Sequence, residues 1–178
     1  MCGGRGTRLD APVEKSLFEV GGRPMIDHVR DALRASRCGT VHAVGSPDTP
    51  ATRDHWEGPY LDAPGDGYVA DLQYALERVD TPVLTVATDL PLLDVDAVDA
   101  VLDAHDGGSL TVAVAAALKR RLGVSTDTTT TVEGREVAPT GLNVVDPDDH
   151  GDTHLTYDVR LAVNVNRPSD ATVAEELL

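Results

Sequence analysis

Three glycines in four positions, Gly3, Gly4 and Gly6, open this chain and limit what it can fold into more than any other feature. Backbone without side chains can bring several N–H groups onto one anion, and Arg8 and Lys15 add cations at the same mouth. The run reads as a phosphate cradle, with an ordinary glycine-rich turn as the alternative. It matches neither the P-loop, which needs Gly-Lys-Ser/Thr, nor the Gly-x-Gly-x-x-Gly dinucleotide pattern. In α/β folds a ligand loop of this kind follows a buried strand, yet no apolar run precedes Cys2. The sheet is therefore expected to lack its first strand, and Met1 to be an internal methionine of a longer chain.

Downstream, apolar strand-length runs alternate with amphipathic helical ones. The 3.6-residue spacing of Met25, Ile26, Val29 and Leu33 predicts a helix over 24–35. A short strand is predicted at 40–45, followed by a Gly-Ser-Pro-Asp-Thr-Pro turn that can start another helix. A helix over 67–79 leads into a buried strand at 82–87. Asp94 caps a helix over 94–105. The stretch 109–118 is β-rich at first and Ala-rich at its end, so strand and helix compete there. The Thr-rich segment 125–137 reads as a hairpin or exposed insertion. Strands at 141–145 and 163–165 and a closing helix over 168–178 complete the chain. This alternation predicts a three-layer, Rossmann-like α/β sheet with mostly parallel strands, as one domain over 1–178.

Composition narrows the function. The 178 residues carry 30 acidic and 15 basic side chains for a net charge of −15, and only Lys15 and Lys119 are lysines. Acidity of this degree argues against nucleic-acid binding. No 18-residue apolar stretch or signal peptide is present, so a cytoplasmic protein without a membrane span is expected. Two cysteines, Cys2 and Cys38, are too few for a metal cluster or disulfide framework. With lysine nearly absent, Lys15 beside the glycine loop reads as a phosphate ligand. The Asp-rich, Lys-poor balance resembles that of proteins from salt-accumulating haloarchaea, in which molar salt shortens the Debye length to about 3 Å and screens like charges.

Asp89 closes the 82–87 strand at the sheet edge where the glycine loop also belongs, so its carboxylate can hold Mg²⁺; capping the next helix is the alternative. The chain has three asparagines, Asn143, Asn164 and Asn166. An asparagine at a strand end can complete a metal site or only set a turn, and Asn166 is the favoured ligand over Asn164. The histidines show no zinc spacing and no Gly-x-Ser-x-Gly elbow occurs. Hydrolytic triads and zinc sites are therefore unsupported.

The opening motif, with Gly45-Ser46-Pro47-Asp48-Thr49-Pro50, Gly65-Asp66-Gly67-Tyr68-Val69-Ala70-Asp71-Leu72, Ala87-Thr88-Asp89-Leu90 and Pro139-Thr140-Gly141-Leu142-Asn143-Val144-Val145, resembles archaeal GTP:adenosylcobinamide-phosphate guanylyltransferases. That family lies within the wider MobA-like nucleotidyltransferase class. The resemblance implies a fold of the nucleotide-diphospho-sugar transferase type and transfer of GMP from GTP to a phosphorylated corrinoid, releasing pyrophosphate. It implies phosphate contacts from Gly3, Gly4, Gly6 and Thr7, with Arg8 and Lys15 neutralising charge and Asp89 binding Mg²⁺. Guanine is expected near Asp48, Asp62, Asp66 and Gly67 or the carbonyls of Gly45 and Ser46, and the corrin near Tyr68 and 139–142. Ser16 stands where the family commonly has proline. The resemblance leaves room for a homodimer. Molybdopterin or a sugar 1-phosphate is the alternative acceptor, and a non-catalytic GTP-binding protein is the alternative class.

Overall fold

The computed structural model describes residues 1–4, 6–147 and 150–178, so Arg5 of the glycine motif lies outside the described residues. A one-turn 3-10 segment at Lys15–Leu17 leads into the small antiparallel pair β1 (Glu19–Val20) and β2 (Arg23–Pro24). Helix α1 (Met25–Ala35) buries Met25, Ile26 and Val29 of the predicted stripe together with Ala32, while Leu33 is only partly buried against the core. Next come β3 (Ala43–Gly45), α2 (Pro50–His55), β4 (Tyr60–Asp62), α3 (Tyr68–Leu76) and β5 (Val83–Val86). Helix α4 (Val95–Ala104) is capped by the Asp94 carboxylate, which accepts from the Ala97 amide at 2.9 Å.

The ambiguous 109–118 run divides by residue type. β-branched Thr111, Val112 and Val114 lie in β6 (Ser109–Ala115), and the alanines open α5 (Ala116–Leu122). The Thr-rich segment folds back as β7 (Thr130–Val132) on the start of β8 (Arg135–Val145). β8 thus begins six residues ahead of the expected 141. β9 (Gly151–Thr156) and α6 (Val159–Ala162) precede α7 (Pro168–Leu177).

In the main sheet the order is β5-β8-β6-β9, with β7 also on β8. β5 and β6 are both antiparallel to β8, and β9 is parallel to β6, so β5, β6 and β9 share one direction and β8 alone opposes them. The sheet is accordingly parallel-rich. β3 and β4 form a separate parallel pair.

Two expectations about strands meet the structure differently. No strand forms at 163–165: Val163 and Val165 are fully buried, but the segment makes no ladder, and the Val165 amide instead donates to the Asp89 carbonyl at 2.9 Å. The sheet was expected to lack its first strand, and between β3 and β5 no ladder exists among the described residues. The Met1 ammonium reaches the Val86 carbonyl and the Cys2 amide the Val44 carbonyl, each at 2.8 Å, so these two residues bridge the strands. Beyond them lies an apolar slot of about 110 Å³ lined by Val41, Val44, Leu76, Val83 and Val86 among others.

The core falls into clusters that fix the loops. Val86, Leu90, Val98, Val101, Leu110, Val112, Leu142 and Val144 join α4 and the sheet, and Val29 and Ala32 dock α1 onto them. A second cluster holds Leu9, Met25, Val163, Val165, Ala171 and Ala174. Leu9, 2% exposed, anchors the exit of the glycine loop; burying a leucine contributes about 1.5–3 kcal/mol.

Candidate nucleotide site

Beyond the end of β5 opens a cleft of about 590 Å³. Gly3, Gly4, Lys15 and Ser16 line one side, 65–68 with Asp71 another, and 87–89 its floor. β5 reaches the cleft because β8 gives way. Gly141 sits at φ +84, and a Cβ there would stand 2.9 Å from the Ala87 Cβ, so only glycine lets Ala87 pass. The Ala87 amide donates to the Gly141 carbonyl at 2.9 Å and holds the crossing.

Lys15 is placed by the turn that follows the glycine loop. Gly6, at φ +59, packs on its side chain, and the next residue, Ser16, is 1% exposed. The Ser16 hydroxyl donates to the Cys2 carbonyl and sits 3.2 Å from the Thr88 hydroxyl, tying loop to floor. From this base the Lys15 ammonium donates to Asp89 Oδ2 at 2.6 Å and to Asn166 Oδ1 at 2.7 Å. The two charged side chains are only 17% and 13% exposed. Charge-assisted bonds in such a setting contribute about 1.5–3 kcal/mol each.

Asp89 is held from its other side too. Its Oδ1 accepts from Asn164 Nδ2 at 3.0 Å, and the same amide donates to the Thr140 carbonyl at 2.8 Å. Asn164 Oδ1 in turn accepts from Lys119 Nζ at 3.0 Å, which also donates to the Ala162 carbonyl at 2.7 Å. Lys119 is 3% exposed, and burial pushes its pKa below the usual lysine range. Asn164 and Lys119 are members of the site that the motif reading did not assign. The signal was available for Lys119, the only other lysine of the chain.

Of the residues expected at a nucleotide, the structure gathers Gly3, Gly4, Lys15, Asp48, Asp66, Gly67 and Asp89 around the cleft, with Asn166 on Lys15. Others stand apart. Gly6 buttresses Lys15, and Thr7 is exposed in the turn. Arg8 is 64% exposed and pairs with Asp127 at 2.9 Å, while Arg167 holds the other oxygen of Asp127 at 2.6 Å. Gly45 lies buried in β3 against the Tyr60 hydroxyl, outside the cleft, because the β3–β4 pairing covers it. Ser46 is buried and donates to the Gly3 carbonyl at 3.3 Å, which makes it a support of the loop. Asp62, 65% exposed, pairs with Arg53 away from the cleft. Of the 139–142 segment, Thr140 and Leu142 are inside the sheet and Pro139 is exposed; Tyr68 is 52% exposed at the cleft mouth.

For a divalent cation the donors here are oxygens only: the Asp89 carboxylate and the Asn166 amide oxygen, which already converge on an ammonium. Among the described residues no group of three or more His, Cys, Asp or Glu is arranged to hold a metal. One carboxylate with an amide oxygen suits Mg²⁺, which takes most of its ligands from water and substrate phosphates.

A glycine-lined cleft floored by a lysine–carboxylate pair at the end of a parallel-rich sheet defines a nucleotidyltransferase. Solved structures share the fold. A hypothetical transferase from Thermus thermophilus superposes with a TM-score of 0.60 at 25% identity, over 82% of this chain and 63% of its own. A CMP:2-keto-3-deoxy-manno-octonic acid synthetase solved with CTP superposes with a TM-score of 0.65 at 13% identity, over 95% and 93% of the two chains. The chain belongs to the MobA-like NTP transferase domain family, whose model matches residues 1–167. It is 29% identical to the adenosylcobinamide-phosphate guanylyltransferase of Methanocaldococcus jannaschii, over 100% of this chain and 95% of that one. Among the described residues no helix is long and apolar enough to cross a membrane.

Proposed function

We propose that the chain transfers GMP from GTP to adenosylcobinamide phosphate, giving adenosylcobinamide-GDP and pyrophosphate. The end-to-end similarity to the archaeal guanylyltransferase carries this reading, and the chemistry of the cleft supports it. A phosphate oxygen of the acceptor attacks the α-phosphorus of GTP, the bond from that phosphorus to the bridging oxygen of the β-phosphate breaks, and pyrophosphate leaves with the electron pair. A phosphate monoester is already largely dianionic near neutral pH, with a second pKa of about 6, so no general base is required.

What the chain must supply is position and charge compensation. The amides of Gly3 and Gly4 meet the phosphates, and Asp66 and Gly67 border the nucleoside. Lys15, held by Asp89 and Asn166, neutralises charge on the α-phosphoryl and the leaving group. Asp89 and Asn166 would hold Mg²⁺, which supplies further charge neutralisation on the triphosphate. Arg8 reaches phosphate only by exchanging Asp127 for substrate oxygens. A cytoplasmic setting with access to GTP fits this role.

The test is pyrophosphate release in molar KCl with GTP and, separately, adenosylcobinamide phosphate, molybdopterin and a sugar 1-phosphate. Release with the corrinoid alone is expected. Release with another acceptor, or GTP binding without any turnover, would overturn the assignment.

A further inference from the structure

Among the described residues three aspartates are buried: Asp27, Asp71 and Asp170. Two have a cation or several donors beside them. Asp27 pairs with Arg30 at 2.7 Å and meets His55 at 3.0 Å. Asp170 accepts from the Ser125 amide and hydroxyl and from the amides of Asn166 and Arg167, all within 3.0 Å. Asp71 differs. Its Oδ1 accepts from the Gly65 amide at 2.9 Å, and among the described residues it has no cationic partner.

The remaining capacity of this carboxylate faces the cleft. Asp71 lines it from the first turn of α3, and Oδ2 comes within 3.5 Å of where a Cβ on Gly3 would stand. The absence of a side chain at Gly3 leaves that approach open. An ionised carboxylate offers about four lone-pair positions, and those of Asp71 that open onto the cleft are left without donors once a ligand displaces water there, unless the ligand supplies them. Phosphate cannot be the missing partner, since both groups are anions. The missing partner is a neutral group with adjacent N–H donors.

We propose that Asp71 selects the base of the nucleotide by accepting the N1–H and 2-amino N–H donors of guanine. This rests on the GTP reading above and gives it a specificity residue. Adenine presents an unprotonated N1 and cytosine an unprotonated N3 to the same oxygens, and uracil flanks its single Watson–Crick N–H with carbonyls, so all three are disfavoured where guanine is bound. Asp48, Asp62 and Asp66 are then unnecessary for base choice.

Asp71→Asn separates this role from loop support, because the amide oxygen can still accept from Gly65 while its NH₂ now faces the base. In the variant kcat/KM for GTP is expected to fall by about 10²-fold. Xanthosine triphosphate, whose C2 oxygen accepts from that NH₂, is expected to become the better substrate. An unchanged ratio of GTP to xanthosine triphosphate in a folded variant would overturn the proposal. Wild-type protein provides a check that needs no variant: inosine triphosphate, lacking the 2-amino group, should bind about tenfold more weakly than GTP, and equal affinity refutes the contact. These ratios can be read by equilibrium titration, so a protein that binds GTP selectively but transfers nothing to a corrinoid fails the functional reading and leaves the Asp71 contact standing.

Discussion

Alanine at Gly6 and alanine at Gly4 should fail in different ways, and the difference follows from what surrounds each position. Gly6 sits at φ +59, where an L-residue costs about 1–2 kcal/mol. A Cβ there would lie 2.7 Å from the Lys15 Cβ and 3.4 Å from its Cα, so the lysine must move by several tenths of an ångström. Overpacking of this sort costs about 1–3 kcal/mol, and the stiffer unfolded chain returns about 0.4–1 kcal/mol. The balance is a loss of about 1–4.6 kcal/mol, or about 2–18 °C in Tm for a chain of this size. Displacing Lys15 from Asp89 and Asn166 should also lower kcat, on the order of 10²-fold for a shift near 1 Å. At Gly4 an added Cβ meets nothing within 4 Å and φ is outside the left-handed region. Its methyl projects into open space at the cleft, so Gly4→Ala should keep its Tm, within about 0.5 kcal/mol, and raise the Kd for GTP. Thermal unfolding and nucleotide titration of both variants decide the matter. Wild-type Tm in Gly6→Ala would refute the packing argument, and wild-type GTP affinity in Gly4→Ala would refute the cradle.

The lysine–carboxylate pair should be separable from binding: Lys15→Met or Asp89→Asn is expected to cut turnover by about 10²–10³-fold while GTP still binds, and retained turnover in both would remove them from the site. Native alkylation should label Cys38 first, because Cys2 is 2% exposed, bonded to the Val44 carbonyl, and its thiol pKa is pushed up by burial. Peptide mapping after brief iodoacetamide treatment reads the order, and rapid labelling of Cys2 would contradict the packing of the N-terminal residues. Net charge of −15 predicts a higher Tm at high than at low KCl. Equal melting points across about 0.1–2 M KCl, a range that takes the Debye length from about 10 Å to below 3 Å, would argue against screening as a stabilising force.

Sequence periodicity located the elements that bury a stripe of apolar side chains. Helices α1, α4 and α7 lie within a residue or so of their expected spans, because Met25, Ile26 and Val29, or Val98 and Val101, leave no other face to bury. It missed β4 and β9 for the opposite reason. β4 has three residues and pairs only with β3, and β9 reads Gly-Asp-Thr-His-Leu-Thr, half-buried at best, with its register set by β6. Such strands are fixed by a partner's unpaired backbone, which no local pattern reports. The site divides likewise. Lys15 and Asp89 were legible because one is a rare residue type and the other ends an apolar strand. Asp71 was hidden among many aspartates, and only its burial and its single hydrogen bond separate it from the others.

That both lysines of an arginine-rich chain converge on Asp89 has a physical rationale in the shape of the donor. Lys15 touches Asp89 directly, and Lys119 reaches it through Asn164. Each ammonium serves two oxygens that converge on one point: a carboxylate and an amide oxygen for Lys15, a backbone carbonyl and an amide oxygen for Lys119. A compact ammonium with three rotatable donors fits such a point, whereas the planar guanidinium spreads five donors in a fork suited to one flat acceptor pair. Pairs such as Arg160 with Asp94 and Asp158 use the fork, with 2.5 and 2.6 Å contacts on half-buried carboxylates. Lysine in this chain therefore marks where charge must be delivered to a point inside the protein, and both such points flank the same carboxylate.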